Sequence, residues 1–135
     1  MTTPVVLDAS AAIEFLVDAA SVPEVIEVLG DEDGQAVVPY LCDVEIASAL
    51  RSALHRGVLE EGRADEALSL YELLPLERVD HLPLLRRVLR LRGHFSAYDA
   101  VYVALAEVLG ARLCTADRRL AAAARAWTDV PVVEV

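Results

Sequence analysis

Along this chain, short apolar runs alternate with longer stretches in which apolar residues return every three or four positions. Pro4-Val5-Val6-Leu7 is a β-branched run that stops at Asp8 and predicts a first strand. Ser10 then stands where it would cap a helix over 11–19. Ser21-Val22-Pro23-Glu24 has the form of a capping box with proline in the first turn, and Val25, Ile26 and Leu29 share one face of the helix that follows. A polar turn over 31–35 leads to a small buried-type strand, Ala36-Val37-Val38, stopped by Pro39, which is expected to open the next helix. Ile46, Ala49, Leu50, Ala53 and Leu54 recur at helical spacing over 41–56, with Gly57 as the stop. Ala64, Ala67, Leu68 and Tyr71 mark another helix over 60–74, closed by Pro75, and a third strand is expected over 76–79. A Leu- and Arg-rich helix over 82–92 ends at Gly93. A longer one over 97–109 ends at Gly110, with Val101, Ala104, Leu105 and Val108 as its buried stripe. Strands over 112–115 and 131–135 flank a last helix over 117–126.

Short apolar strands separated by helices require crossover connections, which parallel strands need and antiparallel ones do not. The fold class is therefore α/β, a three-layer α/β/α sandwich with a central, mainly parallel sheet. The chain shows no internal repeat or linker, and 135 residues suit one domain spanning 1–135.

Composition narrows the function. With 56% hydrophobic residues the chain can bury a real core. No apolar stretch reaches the ~20 residues a membrane-spanning helix needs, and the N-terminal residues lack a basic leader, so a cytoplasmic protein is expected. Cys42 and Cys114 have no paired spacing and are expected to be buried, reduced and small. A net charge of −10 argues against nucleic-acid binding through a broad basic face, though not against a nuclease that brings metal ions. All positive charge is arginine, which excludes any mechanism needing lysine, a phosphoacceptor switch of the receiver type among them.

In a parallel α/β sheet the loops leaving the carboxyl ends of the strands share one edge, and ligands bind there. Asp8 ends the first strand and Asp117 follows the fourth. Glu45 lies near the start of the helix after the second strand, and Asp99 near the start of the helix that feeds the fourth. Four separate segments can thus deliver carboxylates to one pocket. Such a cluster is stable mainly around a cation, and oxygen-only ligands favour Mg²⁺ or Mn²⁺. The bland readings are that Asp99 and Asp117 only serve helix N-termini, that Glu45 turns outward, and that Asp43 competes with Glu45 for the metal.

Val6-Leu7-Asp8-Ala9-Ser10-Ala11 and Glu45-Ile46-Ala47-Ser48-Ala49-Leu50 resemble PIN-domain proteins. Ser96-Ala97-Tyr98-Asp99-Ala100-Val101-Tyr102-Val103-Ala104-Leu105-Ala106 and Thr115-Ala116-Asp117-Arg118-Arg119-Leu120 resemble the VapC group of type II toxin–antitoxin ribonucleases. The similarity runs in order over nearly the whole chain. It implies a PIN fold, endoribonuclease activity with Mg²⁺ or Mn²⁺, a cognate VapB-like antitoxin and a homodimer. By motif match Asp8, Glu45, Asp99 and Asp117 would be the catalytic, metal-binding acids. Thr115 and Ser10 would orient them, although Ser10 could equally only cap its helix.

Arg118 and Arg119 are weak candidates for contacts to RNA phosphates, since most arginines in so acidic a chain serve as solvated faces or ion-pair partners. His55, His81 and His94 are assigned structural or solvated roles. Two alternatives remain: a PIN-fold interaction module without turnover, and a PIN nuclease of RNA processing.

Overall fold

The N-terminal apolar run forms β1 (Val5–Leu7), whose three residues are all buried. Helices α1 (Ala9–Val17) and α2 (Pro23–Gly30) lead to β2 (Ala36–Pro39), and α3 (Leu41–His55) and α4 (Glu61–Leu73) lead to β3 (Leu76–Val79). Then come α5 (Leu85–Arg90), α6 (Ala97–Leu109), β4 (Arg112–Thr115), α7 (Arg118–Trp127) and β5 (Val132–Glu134). This is a computed structural model, and it describes residues 3–31 and 33–135. Met1 and Thr2 of the N-terminal stretch and Glu32 of the 31–35 turn lie outside the described residues.

Among the described residues the five strands form one parallel sheet in the order β3-β2-β1-β4-β5. The chain builds outward from β1 to β3, then returns to β1's other side for β4 and β5. Strand order therefore reverses at β1, which puts the crevice between the ends of β1 and β4 where ligands bind in open α/β sheets. Helix α6 lies against β1, β2 and β4 with α5 beside it, while α1 gathers α2, α3 and α4, so helices cover both faces. The expected α/β/α sandwich is what forms.

Local departures have local causes. Ser10 does not cap α1, because the helix starts two residues earlier with Asp8 at the cap position, and the Ser10 hydroxyl turns to Asp8 instead. The capping box at Ser21 does not form either. Ala19–Ser21 is a 3₁₀ turn, the Ser21 hydroxyl donates to Asp18 O, and α2 begins at Pro23. Pro39 does not open a helix; it is the last residue of β2, paired with Val79, and Tyr40 precedes α3. The 82–92 helix splits into a 3₁₀ turn at Leu82–Leu84 and the short α5.

In α6 the buried positions are not a stripe. Residues 100–106 are all buried, Tyr102 and Val103 completely, because the helix is enclosed on every side at its middle, whereas Val108 near its end is 69% exposed. Gly57 and Gly110, with φ of +70° and +61°, end α3 and α6 in the left-handed region that glycine enters freely. Both cysteines are free and buried, and burial pushes the Cys114 thiol up to about 11, so it stays a neutral thiol.

Candidate active site

Asp8 leaves β1 at the strand-order reversal and is 6% exposed, an unusual place for a carboxylate. Two hydroxyls converge on its Oδ2: Ser10 Oγ from the first turn of α1, and Thr115 Oγ1 from the last position of β4, at 2.8 Å. Each hydroxyl also accepts a backbone N–H. Ala116 N donates to Ser10 Oγ at 2.9 Å, and Asp117 N donates to Thr115 Oγ1 at 3.0 Å. With both hydroxyl protons spent on Asp8, the hydroxyls' orientations are fixed, and the backbone of the β4–α7 turn is tied through them to Asp8 at the end of β1.

Glu45 sits on the second turn of α3, half-buried, and its Oε1 accepts a hydrogen bond from Tyr102 Oη at 2.6 Å. Asp99 occupies the first turn of α6, and its backbone N–H donates to Ser96 Oγ, the cap of that helix. Asp117 is itself the N-cap of α7, its Oδ1 accepting from the N–H groups of Arg119 and Leu120 at 2.9 and 3.2 Å. The capping reading of Asp117 is therefore true as well, and it fixes the carboxylate at the site's edge.

The four acids act on one another. Burial pushes the carboxyls of Asp8, Glu45 and Asp99 above their ordinary values. Asp8 and Asp99 both raise Glu45, Asp8 and Asp117 raise Asp99, and Asp117 raises Asp8. The hydroxyls of Ser10 and Thr115 and that of Tyr102 work the other way on Asp8 and Glu45. Among the described residues no ion pair joins any of the four to an arginine.

Such uncompensated negative charge, carried entirely by hard oxygen donors, suits a divalent cation of the Mg²⁺ or Mn²⁺ type. Among the described residues no three acidic, His or Cys side chains already stand in the arrangement of a metal cage. Like-charged carboxylates spread apart without a cation between them, and Mg²⁺ keeps several waters rather than demanding an all-protein cage. The donor set fits such an ion.

Residues 5–126 match the PIN domain. This chain belongs to the PIN-domain family. It is 37% identical over 129 residues to the VapC ribonuclease Mb0985 of Mycobacterium bovis, covering 96% of this chain and 98% of that protein. It is 36% identical over 117 residues to ribonuclease VapC12 of Mycobacterium tuberculosis, covering 87% and 89% of the two chains. Solved structures share the fold. PAE2754 from Pyrobaculum aerophilum has a TM-score of 0.65 and 24% identity, covering 96% of this chain and 83% of its own. VapBC2 from Rickettsia felis, bound to a promoter DNA fragment, has a TM-score of 0.67 and 13% identity, covering 97% and 98%.

The acid cluster of this PIN domain opens on two grooves. One, of about 440 Å³, runs between α1 and α3 and is walled by Glu14, Glu45, Ser48 and Ser52. The other, of about 590 Å³, lies between the start of α6 and α7 and is walled by His94, Phe95, Asp99 and Arg119. Arg119 is near enough to Asp99 to lower its carboxyl. Arg118 is exposed and takes no part in the site's hydrogen bonds or ion pairs.

Asp43 is not a rival to Glu45. Arg78 Nε donates to both its oxygens at 2.9 and 3.0 Å and Tyr71 Oη to one at 2.6 Å, which fastens α3 to β3 and α4. Tyr102 and Glu14 were not among the expected site residues. Tyr102 had a signal in the sequence, a phenol among aliphatic residues one turn after Asp99 on the same helix.

Proposed function

We propose that this chain is a Mg²⁺- or Mn²⁺-dependent endoribonuclease, the toxin of a type II toxin–antitoxin pair. The observation that carries this reading is the convergence of Asp8, Glu45, Asp99 and Asp117 from four segments, three of them with carboxyls raised by burial and by one another. The names and titles of its relatives and structural neighbours support it.

These four acids would hold the ion, which supplies Lewis acidity toward a water and a phosphodiester when bound. Ser10 and Thr115 hold Asp8 in one orientation, and Tyr102 does the same for Glu45, so the carboxylates are placed before substrate arrives. Arg119, beside Asp99, would bind a substrate phosphate and bring the strand over the acids.

A VapB-like antitoxin would inhibit by setting a cationic side chain into the groove walled by Glu14 and Glu45, in competition with metal. The exposed leucines 82, 85 and 89 along the α5 segment offer apolar surface for a homodimer. Such a toxin acts in the cytoplasm, where RNA and antitoxin are.

The test is cleavage of a mixed tRNA, rRNA and mRNA pool by antitoxin-free protein. Cutting is expected with Mg²⁺ or Mn²⁺. It should vanish in EDTA and fall by more than about a hundredfold in Asp8→Asn. No cutting of any RNA by protein shown to bind the metal would overturn the nuclease reading in favour of an inhibitory binding module.

A further inference from the structure

The groove between α6 and α7 contains a feature that metal binding does not use. His94, just before α6, stacks on Trp127 at the end of α7, with ring centroids 3.6 Å apart and planes 8° from parallel. Both residues are exposed, Trp127 by 58%, although a packed aromatic pair ordinarily seeks the core. Trp127 covers one face of the imidazole, and His94 forms part of the groove wall together with Asp99 and Arg119.

Charge distinguishes the two grooves that meet at the acids. The one between α1 and α3 is lined by Glu14 and Glu45 and has no basic residue in its wall, so it repels a polyanion. The other presents Arg119 beside the acids and a flat ring farther out. Trp127, which backs the groove's His94 without lining the groove itself, is eight residues from Arg119 on α7, about 12 Å along its axis, so cation and ring pair stand far enough apart for more than one contact with a single strand. A cation for phosphate and an exposed ring for a base are the two elements by which proteins grip single-stranded nucleic acid.

We propose that the α6–α7 groove is a subsite for single-stranded RNA, in which an unpaired base flanking the cut bond stacks on His94, Trp127 backs that ring, and Arg119 takes a phosphate. The subsite rests on the ribonuclease reading above and adds to it the residues that take an unpaired base and its phosphate. A base already stacked within a helix has no free face to give His94.

The test reads binding, not cleavage, in an Asp8→Asn background so that RNA stays intact. Trp127 is the chain's single tryptophan, so its fluorescence reports on the stack directly. A single-stranded oligoribonucleotide should quench it, and a duplex of equal length should not. By anisotropy of the labelled strand, His94→Ala should weaken binding about tenfold, and His94→Phe should restore it to within about threefold. On an abasic strand of the same length, His94→Ala should make no difference.

Unchanged binding by both His94 variants would overturn the subsite. So would an equal loss on the abasic strand, which would mean that His94 acts on the fold or on phosphate. The two readings fail separately. A protein that binds through His94 but cuts no RNA keeps the subsite and loses the nuclease, and one that cuts RNA with His94 irrelevant does the reverse.

Discussion

Asp117 shows how one side chain can satisfy both a structural and a functional reading. Its Oδ1 caps α7, and its charge raises Asp8 and Asp99. Two substitutions separate the roles. Asn caps a helix about as well as Asp, so Asp117→Asn should leave the thermal midpoint nearly unchanged while Mn²⁺ binding, followed by calorimetry, weakens at least about tenfold. Asp117→Ala loses both and should cost about 1 kcal/mol of stability in denaturant unfolding as well. Equal destabilisation by Asn and Ala would show that the cap is not what Asp117 contributes. At this scale the acids were legible in the sequence because each follows a recognisable strand end or helix start. Tyr102 and Arg119's particular place were not, because a helical period says which residues face inward and not which neighbouring helix they will meet. The fate of Asp43 was hidden for the same reason: its partners Tyr71 and Arg78 lie 28 and 35 residues away.

At the scale of elements, the site is a joint between α3 and α6. Cys42 and Glu45, one turn apart on α3, both meet the Tyr102 hydroxyl of α6, and Cys42 also meets Tyr71 of α4, which donates to Asp43. A run of polar side chains thus passes from the Arg78–Asp43 pair through an apolar interior to Glu45, each hydroxyl with a partner, as buried polar groups require. Removing the donor tests what this joint does. Tyr102→Phe keeps the ring and its packing but leaves Glu45 without its hydrogen bond. The expected outcome is about 1–2 kcal/mol lost in denaturant unfolding, with about tenfold weaker Mn²⁺ binding. A stability loss with metal affinity intact would make the contact purely structural. Strand and helix order could be read from periodicity because β1 and β2 are continuous apolar runs and Gly57 and Gly110 punctuate the helices. The helix starts at Ala9 and Pro23 could not, since the serines at 10 and 21 fit a capping pattern but their hydroxyls found stronger partners in Asp8 and in the Asp18 carbonyl.

For the whole molecule, a net charge of −10 and a cluster of unpaired acids make the metal-free fold sensitive to pH in an unusual direction. Paired carboxylates are ordinarily lowered on folding, and proteins then lose stability as acid protonates them. Here Asp8, Glu45 and Asp99 are raised above 3.8, 4.5 and 3.8, so the folded chain holds these protons more tightly than the unfolded chain does. By linkage, their contribution to stability is lost as pH rises from the unfolded values through the folded ones. The metal-free protein should therefore melt higher as pH falls from 7 toward the ordinary carboxylate range. The gain should end in the ordinary carboxylate range near pH 4, where the unfolded chain's carboxylates also take up protons. A divalent cation, if held there, would remove the repulsion that drives the effect. At a hundredfold excess over its dissociation constant it adds about 2.7 kcal/mol, most of it near pH 7, where the carboxylates are ionised. Melting curves from pH 4 to 8, with EDTA and with saturating Mn²⁺, should therefore diverge toward neutral pH and converge as pH falls into the ordinary carboxylate range. A metal-free midpoint that falls steadily on acidification would mean that Asp8, Glu45 and Asp99 are compensated within the fold, and the case for a cation among them would lose its electrostatic basis.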